Sequence, residues 1–373
     1  MMEPIFETRG LTYKYNSRQE KPSLDSVDVK ISKGARTVIL GANGAGKSTL
    51  FYHFNGIFKP ASGEVLYMGK PLEYSREALS VLRNDISVVV QNPDEQIFSA
   101  TVEEDVAFGP MNAGLERDEV ERRIQESLFK VGMEEYRSRP TIQLSYGQRK
   151  RVALAGALAT EPKVLILDEP TAGLDPQMSQ EVIELVEQLC VAGTTVIIST
   201  HDVDLAYSWA DDIHVLREGR LIYSGKPEPF FDDHVEVAST GLVMPHTFSI
   251  NSSVQRIRGV DPAPYPRTNS QILCKMLPEG SKTGRIRLVP VKDSVPDVQA
   301  GGAPVGVYGA GVRRLFREGG LEPDYHFNAI ECCLMEAVNG RDSVLFVDDS
   351  MKDRAAEVIG EMEKFGNRIE VVR

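Results

Sequence analysis

The chain has 373 residues, 42% of them hydrophobic and 26% charged, and its formal net charge is −12 at pH 7. A chain of this length exceeds what one hydrophobic core usually supports, so we expect a soluble globular protein of two domains. The negative charge argues against binding to nucleic acid and to anionic lipid, because both select basic surfaces.

No apolar run approaches the roughly 18 residues that cross a membrane. The first residues, MMEPIFETRG, include neither a basic nor an apolar signal region. We therefore expect a cytoplasmic protein without direct membrane insertion, which reaches a membrane only through a protein partner. The four cysteines have neither disulfide nor zinc spacing, and we expect buried free thiols.

Two antiparallel strands are predicted at the beginning of the chain, because hydrophobic residues alternate over 5–15 and again over 24–31. Tyr15 ends the first strand, just before a segment with the features of a nucleotide site. An aromatic ring at this position can stack on adenine, since stacking needs only a flat π-face. Ordinary packing within the strand is the alternative.

The segment GANGAGKST, residues 41–49, fits the phosphate-binding pattern G-x-x-x-x-G-K-[ST] without a gap. A β-branched run at 37–40 predicts a strand before it, and 48–54 predicts a helix after it, which is the expected context. Its glycines allow backbone N–H groups to approach phosphate oxygens, while Lys47 can reach the β- and γ-phosphates and Ser48 can ligate Mg²⁺. A glycine-rich turn without a ligand is the alternative. The predicted phosphate-binding residues are Gly41, Ala42, Asn43, Gly44, Ala45, Gly46, Lys47, Ser48 and Thr49.

Short strands are predicted at 64–67 and 86–90, and Gln91 then opens the segment QNPDEQIF. A glutamine at the end of a strand can bring its carbonyl to a metal ion or to an attacking water, and a solvated loop amide is the alternative. Apolar residues at helical spacing over 120–131 predict a helix that faces the core.

The segment LSYGQ, residues 144–148, precedes an apolar run at 152–159 that predicts a helix. Ser145 is a natural N-cap for this helix. Gly147 and the residues after it would then offer free N–H groups and a positive dipole end to a second phosphate.

Asp168 and Glu169 close an apolar strand at 164–167. One carboxylate can lie beside a phosphate-bound metal and the next can polarise a water, provided that this strand lies beside the one leading to residue 41. A salt-bridged carboxylate is the alternative for Glu169.

A turn at 173–175 and a buried strand at 196–199 follow, and His201 lies at the carboxyl end of that strand. In parallel α/β sheets this edge is where ligands bind. A structural hydrogen bond is the alternative for His201.

The ordered set GANGAGKST, Gln91, LSYGQ, VLILDEP, GLD and His201 resembles the ATPase domain of ABC transporters over residues 4–230. More narrowly, QNPDEQIF followed by TVEEDVAFGP is similar to the ATPase subunits of energy-coupling-factor importers, in particular the cobalt and nickel branch. The resemblance implies an α/β P-loop NTPase fold of the ABC type, with a helical subdomain and an antiparallel β-subdomain. The usual signature LSGGQ reads LSYGQ here, and the effect of Tyr146 on the phosphate contact stays open.

The resemblance also implies ATP and Mg²⁺ as cofactors, bound between two subunits. The implied ATP contacts are residues 41–49 and Tyr15 of one subunit, with Ser145, Gly147 and Gln148 of the other. The implied Mg²⁺ ligands are Ser48, Gln91 and Asp168. The implied catalytic residues are Glu169 as general base, His201 at the γ-phosphate, and Gln91.

The family works as a pair of ATPases, identical or paralogous, bound to a transmembrane coupling subunit and a small substrate-capturing membrane protein. The resemblance thus implies a peripheral ATPase at the cytoplasmic face of the cell membrane, with Gln91 and residues 94–95 in contact with the transmembrane subunit. Cobalt or nickel import is the expected function. Vitamin import and a non-transport ABC ATPase are the alternatives within the superfamily, and a metabolic kinase, which would lack LSYGQ, is the alternative outside it.

Beyond residue 230 the pattern changes, and we predict an ATPase domain at 1–235, an extension with a Pro-rich connector at 236–283, and an α/β domain at 284–373. A small helix is expected at 251–257. In the last domain the predicted strands are 285–291, 305–308, 344–347 and 368–372, and the predicted helices are 311–318, 326–338 and 351–364.

The role expected for 284–373 is regulation or dimerisation. Gly306, Gly309 and Gly311 follow a strand and precede a helix, which indicates a ligand-binding loop or a plain tight turn. Asp348 and Asp349 are candidates to hold a metal or to cap the following helix.

Overall fold

The computed structural model describes residues 4–16, 20–278, 280–296 and 300–372. The chain divides into two compact units: the first runs to Leu174 and resumes at Ala192–Met244, and the second combines Asp175–Val191 with the chain from Pro245 onward. Residues 175–191 therefore share a unit with the C-terminal part of the chain, although they lie within the predicted ATPase domain. The predicted domain boundaries stay a prediction.

The strands of the first unit, in chain order, are β1 (Pro4–Tyr13), β2 (Leu24–Val27), β3 (Lys30–Ser32), β4 (Arg36–Leu40), β5 (Ser62–Tyr67), β6 (Lys70–Pro71), β7 (Ile86–Val89), β8 (Val164–Asp168), β9 (Thr195–Thr200), β10 (Asp212–Arg217) and β11 (Arg220–Gly225). The helices, among which α6 belongs to the second unit, are α1 (Lys47–Phe54), α2 (Arg76–Asp85), α3 (Val102–Asn112), α4 (Arg117–Lys130), α5 (Tyr146–Leu158), α6 (Pro176–Val191), α7 (Val203–Trp209), α8 (Pro227–Asp232) and α9 (His234–Ser239).

The central sheet has the strand order β11-β10-β4-β9-β8-β7, and its strands are parallel except for β11. The condition set for the acidic pair, that the Asp168 strand lies beside the strand leading to residue 41, is not met, because β9 lies between β4 and β8. All side chains of β9 are buried, which suits a central strand. Since the parallel strands end at one edge, Asp168 still reaches the same edge as residue 41.

A second, antiparallel sheet forms around β1, which pairs with β2, β3 and β5. The single strand predicted over 24–31 is in fact the two short strands β2 and β3. This sheet packs on α1 through a common core in which the rings of Phe6 and Phe54 stack 4.4 Å apart. The antiparallel sheet thereby holds the helix that follows the phosphate-binding loop.

The helices α3, α4 and α5 pack together as a helical subdomain. The apolar stripe predicted for α4 is confirmed, since Val120, Ile124 and Leu128 are buried. Capping boxes begin two of these helices: Thr101 with Glu104 at α3, and Ser145 with Gln148 at α5. These reciprocal bonds satisfy N–H groups that a helix otherwise leaves unpaired.

In the second unit α6 is joined by the helices α10 (His246–Arg258), α11 (Asn269–Met276), α12 (Ala310–Glu318), α13 (Ala329–Val338) and α14 (Lys352–Gly360) and by the strands β12 (Arg285–Val291), β13 (Val305–Tyr308), β14 (Ser343–Asp348) and β15 (Glu370–Val372). The strands form a parallel sheet in the order β13-β14-β12-β15. The sequence missed α11, because the surrounding prolines indicated a connector. This helix buries Cys274 in the core beside the sheet, which also includes Cys333.

The turn between β13 and α12 is occupied by the chain's own carboxylate. Asp348 accepts hydrogen bonds from the backbone N–H groups of Gly311 at 3.2 Å and Val312 at 2.8 Å. Gly309 has a φ of 111°, which glycine adopts without strain. Asp348 thus fills the helix N-terminus where an anionic ligand would bind, and it caps α12, whereas Asp349 pairs with Lys352 at 2.9 Å.

In the described parts of the chain, no three His, Cys, Asp or Glu side chains come together in a way that would hold a metal ion. Among the residues that the structure describes, no helix combines the length and apolar character needed to cross a bilayer. Cys274 and Cys333 are buried, Cys190 and Cys332 are partly buried, and each is a free thiol.

Candidate nucleotide-binding and hydrolysis site

The phosphate-binding loop connects β4 to α1 at the carboxyl edge of the central sheet and lines a cavity of about 590 Å³. Gly44 and Gly46 have φ values of 81° and 106°, a backbone region that other residues enter only with strain. At Gly46 a side chain would also meet the carbonyl oxygen of Ser23 at 2.8 Å. The remaining lining residues are Tyr15, Lys21, Pro22, Ser23, Gln91, Asp168, Glu169, Glu218 and Gly219.

Lys47 is the first residue of α1, directly after the glycines of the loop, and is 6% exposed. Its ammonium donates to the carbonyl oxygens of Gly41 at 2.7 Å and Ala42 at 3.3 Å, and it lies 3.3 Å from a carboxylate oxygen of Glu169. A phosphate group in the loop would compete with Glu169 for this ammonium, because both are anions seeking the same buried cation.

Glu169 has a left-handed backbone with φ 49°, and its N–H donates to Ser199 of β9. Its buried carboxylate contacts Nδ1 of His201 at 2.9 Å and accepts from the hydroxyl of Thr200 at 3.3 Å. The structure therefore brings two of the three predicted catalytic residues, Glu169 and His201, into direct contact. The salt-bridge alternative for Glu169 also has a basis here, since its carboxylate pairs with Lys47.

Asp168 is held by a residue that the sequence did not reveal. It lies opposite Ser199 in the pairing of β8 with β9, and the Ser199 hydroxyl donates to its carboxylate. The three predicted Mg²⁺ ligands, Ser48, Gln91 and Asp168, line the same cavity. Hydroxyl, amide carbonyl and carboxylate oxygens are ligands that suit Mg²⁺ when phosphate oxygens and water complete the octahedron.

Tyr15 lines the cavity and is 54% exposed. Its hydroxyl hydrogen-bonds the Thr49 hydroxyl at 2.9 Å, and the rings of Tyr13 and Phe58 contact it in edge geometry at 5.4 and 5.5 Å. These contacts orient a large, accessible aromatic ring at the mouth of the phosphate-binding loop, which is the geometry that the stacking prediction requires.

The predicted second phosphate site is not part of this cavity. Ser145, Gly147 and Gln148 begin α5, where Ser145 and Gln148 hydrogen-bond each other's backbone N–H, and they do not lie among the residues that line the cavity. Tyr146, which departs from the usual signature, contacts its own chain: its hydroxyl donates to the carbonyl of Gln91 at 3.3 Å.

Sequence reasoning also missed Lys150, the residue one helical turn after Tyr146. Its ammonium donates to the carbonyl oxygens of Glu169 at 2.7 Å and Ala172 at 2.9 Å. Burial lowers the pKa of Lys150 to about 8, so the side chain stays largely protonated at neutral pH. Contacts to backbone carbonyls have no sequence pattern, because every residue carries a carbonyl.

A phosphate-binding loop at the edge of a parallel sheet, an acidic pair two strands away, a helical subdomain and an antiparallel subdomain together define an ABC-type ATP-binding protein. Residues 24–172 match the model of the ABC transporter family. Over the full chain the sequence is 38% identical to the energy-coupling factor transporter ATP-binding protein EcfA2 of Methanospirillum hungatei, with 96% of that protein covered. The chain belongs to the energy-coupling factor transporter ATP-binding proteins of the ABC family, and it is an ATPase.

Other similar proteins support the same family assignment. EcfA of Methanocaldococcus jannaschii is 47% identical over 65% of this chain and 86% of its own length. The structure of CbiO1 from Clostridium perfringens, part of the ABC transporter complex cbiONQ, is 43% identical and superposes with a TM-score of 0.57 over 68% of this chain and 97% of CbiO1. The ATP-binding cassette MJ0796, a dimer bound to ADP and Pi, is 28% identical with a TM-score of 0.55 over 60% of this chain and 98% of that one.

Proposed function

We propose that this ATPase powers a cobalt or nickel importer, as one of a pair of subunits held at the cytoplasmic face of the membrane by a transmembrane coupling protein. The observation that carries the proposal is the cavity that joins Lys47, Gln91, Asp168 and Glu169, with the signature residues outside it. The choice of cobalt or nickel rests on the likeness of residues 91–110 to that branch. Vitamin import remains the alternative.

The side chains of the cavity, together with His201, which lies outside its lining and contacts Glu169, suit the following roles. Lys47 and the loop N–H groups bind the β- and γ-phosphates of ATP, and Tyr15 stacks on its adenine. Glu169 accepts the proton of the attacking water, and His201, in contact with Glu169, orients that carboxylate and meets the γ-phosphate. A Mg²⁺ ion held by Ser48, Gln91 and Asp168 would neutralise charge that develops on the phosphates.

We infer that two chains complete the site, since Ser145, Gly147 and Gln148 lie outside the cavity of their own chain. In our proposal the start of α5 in one subunit contacts the γ-phosphate of ATP bound to the other. The dimeric structure of MJ0796 offers a precedent in a relative. Identical and paralogous partner subunits both fit this arrangement.

The transmembrane subunit would dock beside Gln91. In this region Phe98 and Phe108 contact each other edge to face at 4.6 Å and remain 64% and 48% exposed. Exposed aromatic pairs of this kind are typical of protein interfaces. Asp94, in the same loop, pairs with Arg149 of α5 at 2.7 Å, so a partner that moves the loop also moves the helix that begins at the signature.

The C-terminal domain is proposed to regulate hydrolysis or to support the dimer. Within the second unit, Glu184 of α6 pairs with Arg313 and accepts from the N–H of Asn328 at 3.0 Å, and Glu187 pairs with Arg354 at 2.9 Å. The helix α6 begins directly after the GLD turn, where Asp175 accepts from the N–H of Met178 at 2.7 Å. A change in the C-terminal domain can thus reach α6 and, along the chain, the GLD turn.

Reconstitution with the membrane partners tests the transport proposal. The ATPase is purified with its coupling and capture subunits and placed in liposomes, and accumulation of radioactive Co²⁺ and Ni²⁺ is compared with that of labelled vitamins. ATP-dependent accumulation of either metal supports the proposal, and accumulation of a vitamin alone assigns the alternative.

The variant Glu169→Gln tests the chemistry in the same complex. It should bind ATP and lose hydrolysis by about 10²–10⁴-fold, because the amide cannot accept the proton of the water. Glu126→Gln, which changes an exposed carboxylate of α4, is the control and should keep full turnover. Normal turnover in Glu169→Gln would remove this residue from the role of base.

A further inference from the structure

The segment after the proposed base has an uncommon backbone. Glu169 adopts a left-handed conformation, although it is not a glycine, and such conformations persist only where surrounding contacts enforce them. Its N–H is held by Ser199, and its carbonyl oxygen accepts from the N–H of Ala172 at 3.2 Å. A further donor to that carbonyl comes from a different element of the fold.

That donor is Lys150 of α5, whose side chain is buried at 4% exposure. Its ammonium binds the carbonyl oxygens of Glu169 and Ala172 at 2.7 and 2.9 Å. A charged donor that bridges two carbonyls three residues apart fixes the turn between them, since hydrogen bonds to charged groups are stronger than neutral ones. A buried lysine is uncommon unless its charge is satisfied, and these carbonyls satisfy it.

The same face of α5 makes a second contact with the segment. Tyr146 lies four residues before Lys150, a spacing that places both on one side of the helix. A Cβ added to Gly173, whose φ is 75°, would lie 2.9 Å from the Tyr146 ring, so the ring packs directly on this glycine. The beginning of α5 therefore holds the segment 169–173 at both ends.

We propose that Lys150 is a positioning residue for hydrolysis: it holds the backbone of Glu169 in the conformation that aims the carboxylate at the attacking water. The inference rests on the proposed role of Glu169 as base. The inference also gives α5 a function within its own chain, in addition to the proposed contact of its first residues with ATP bound to the partner. Movement of α5 when the dimer closes is thereby transmitted to the base of the same subunit.

The test is Lys150→Met, which keeps an unbranched side chain and removes the donors. We expect kcat to fall by about 10–100-fold with the affinity for ATP unchanged, because small misplacements of a catalytic group have effects of this size. Arg151→Met is the matched control, since Arg151 is the next residue of α5 and donates to the carbonyl of Val131, away from the site. The control should hydrolyse ATP at the wild-type rate and should melt close to Lys150→Met.

A double variant separates positioning from general structural damage. If Lys150 acts through Glu169, Lys150→Met should cause no further loss in residual turnover when added to Glu169→Gln. An equal loss in both backgrounds overturns the proposal, because Lys150 would then act independently of Glu169. Wild-type turnover of Lys150→Met beside an inactive Glu169→Gln also overturns the proposal, as does a loss of ATP affinity that is as large as the loss of activity.

If the methionine variant does not fold, Lys150→Gln replaces it; because its neutral amide is a weaker donor than the ammonium, we expect a smaller fall in kcat, again with the affinity for ATP unchanged. The two proposals fail in different ways. Normal turnover of Glu169→Gln contradicts the base assignment and with it this inference, whereas normal turnover of the Lys150 variant contradicts the inference alone.

Discussion

Lys47 and Glu169 form a buried ion pair across the cavity, with 3.3 Å between ammonium and carboxylate and side chains 6% and 5% exposed. The proposed phosphate-binding cation and the proposed base are thus each other's partner. In our proposal, a phosphate that pairs with Lys47 removes this ammonium from Glu169, whose carboxylate keeps its contact with His201 and becomes available to water. ATP binding and the freeing of the proposed base would then be one event.

Lys47→Ala should abolish measurable ATP binding, because it removes the cation from a site otherwise built of backbone dipoles. Titration with a fluorescent ATP analogue measures this. Lys163→Ala is the control, since this exposed lysine pairs with Asp85 outside the cavity. Unchanged affinity in Lys47→Ala would mean that residues 41–49 do not bind phosphate.

Tyr15 offers a pair of variants that separates stacking from hydrogen bonding. Tyr15→Ala should weaken ATP binding by about 1–3 kcal/mol, the range for loss of an aromatic stack on a base. Tyr15→Phe keeps the ring, loses the hydrogen bond of the hydroxyl to Thr49, and should bind ATP nearly as the wild type does. Calorimetric titration of both decides the point. Equal weakening in the two variants would assign the effect to the hydroxyl and contradict stacking.

Arg313→Met should destabilise the second unit by about 3–5 kcal/mol, because it leaves the carboxylate of Glu184 buried without its cation. Burial raises the pKa of this carboxyl and Arg313 opposes the shift, so the variant should also bind a proton there. Arg314→Met, the neighbouring residue with an exposed partner in Glu318, should change stability by less than about 1 kcal/mol. The stabilities of the two variants are compared by denaturant unfolding, with hydrogen exchange of the second unit as the readout.

The same pair of variants tests regulation. If the C-terminal domain acts through α6, Arg313→Met should change the rate of ATP hydrolysis in the assembled complex and Arg314→Met should not. If Arg313→Met destabilises α6 and the two variants still hydrolyse ATP at the same rate, the regulatory role is contradicted. The C-terminal domain would then have a role in stability or dimerisation.

His214 predicts a pH dependence of stability. Burial lowers its pKa to about 4 from 6.5, and its Nδ1 contacts the Ser224 hydroxyl at 2.9 Å. Below pH 6.5 the His214 side chain binds a proton in the unfolded chain but not in the folded one. The free energy of unfolding is therefore highest above pH 6.5 with respect to this residue, and it decreases as the pH falls toward 4. The expected loss from this residue is about 2 kcal/mol at pH 5.

The chain's single tryptophan, Trp209, is buried in the first unit with His214 and reports its unfolding by fluorescence. His214→Gln should flatten the change in unfolding free energy between pH 7 and pH 5, and the exposed His234→Gln should keep the wild-type slope. Equal slopes in wild type and His214→Gln would show that His214 does not contribute.

Much of the fold was predictable where the signal is local. The strands β12 and β13 have the predicted bounds, because runs of β-branched residues between turn signals specify a buried strand. The predicted N-cap Ser145 does begin α5. The sequence missed α11, since prolines on both sides of it resemble a linker, and it showed one strand where Leu24–Val27 and Lys30–Ser32 are separate.

The sequence by itself determined the phosphate-binding loop, the acidic pair and the signature segment, because each is a short run whose chemistry depends on adjacent residues. Only the tertiary structure decided that β9 lies between β4 and β8 and that Ser199 meets Asp168, since strand order follows from packing of the whole sheet. It also decided that Lys150 holds the carbonyl of Glu169 and that Glu184 meets Arg313. These contacts join residues far apart in the chain, and the contact of Lys150 is to a backbone carbonyl, which every residue has. No residue type or spacing in the sequence could therefore predict them.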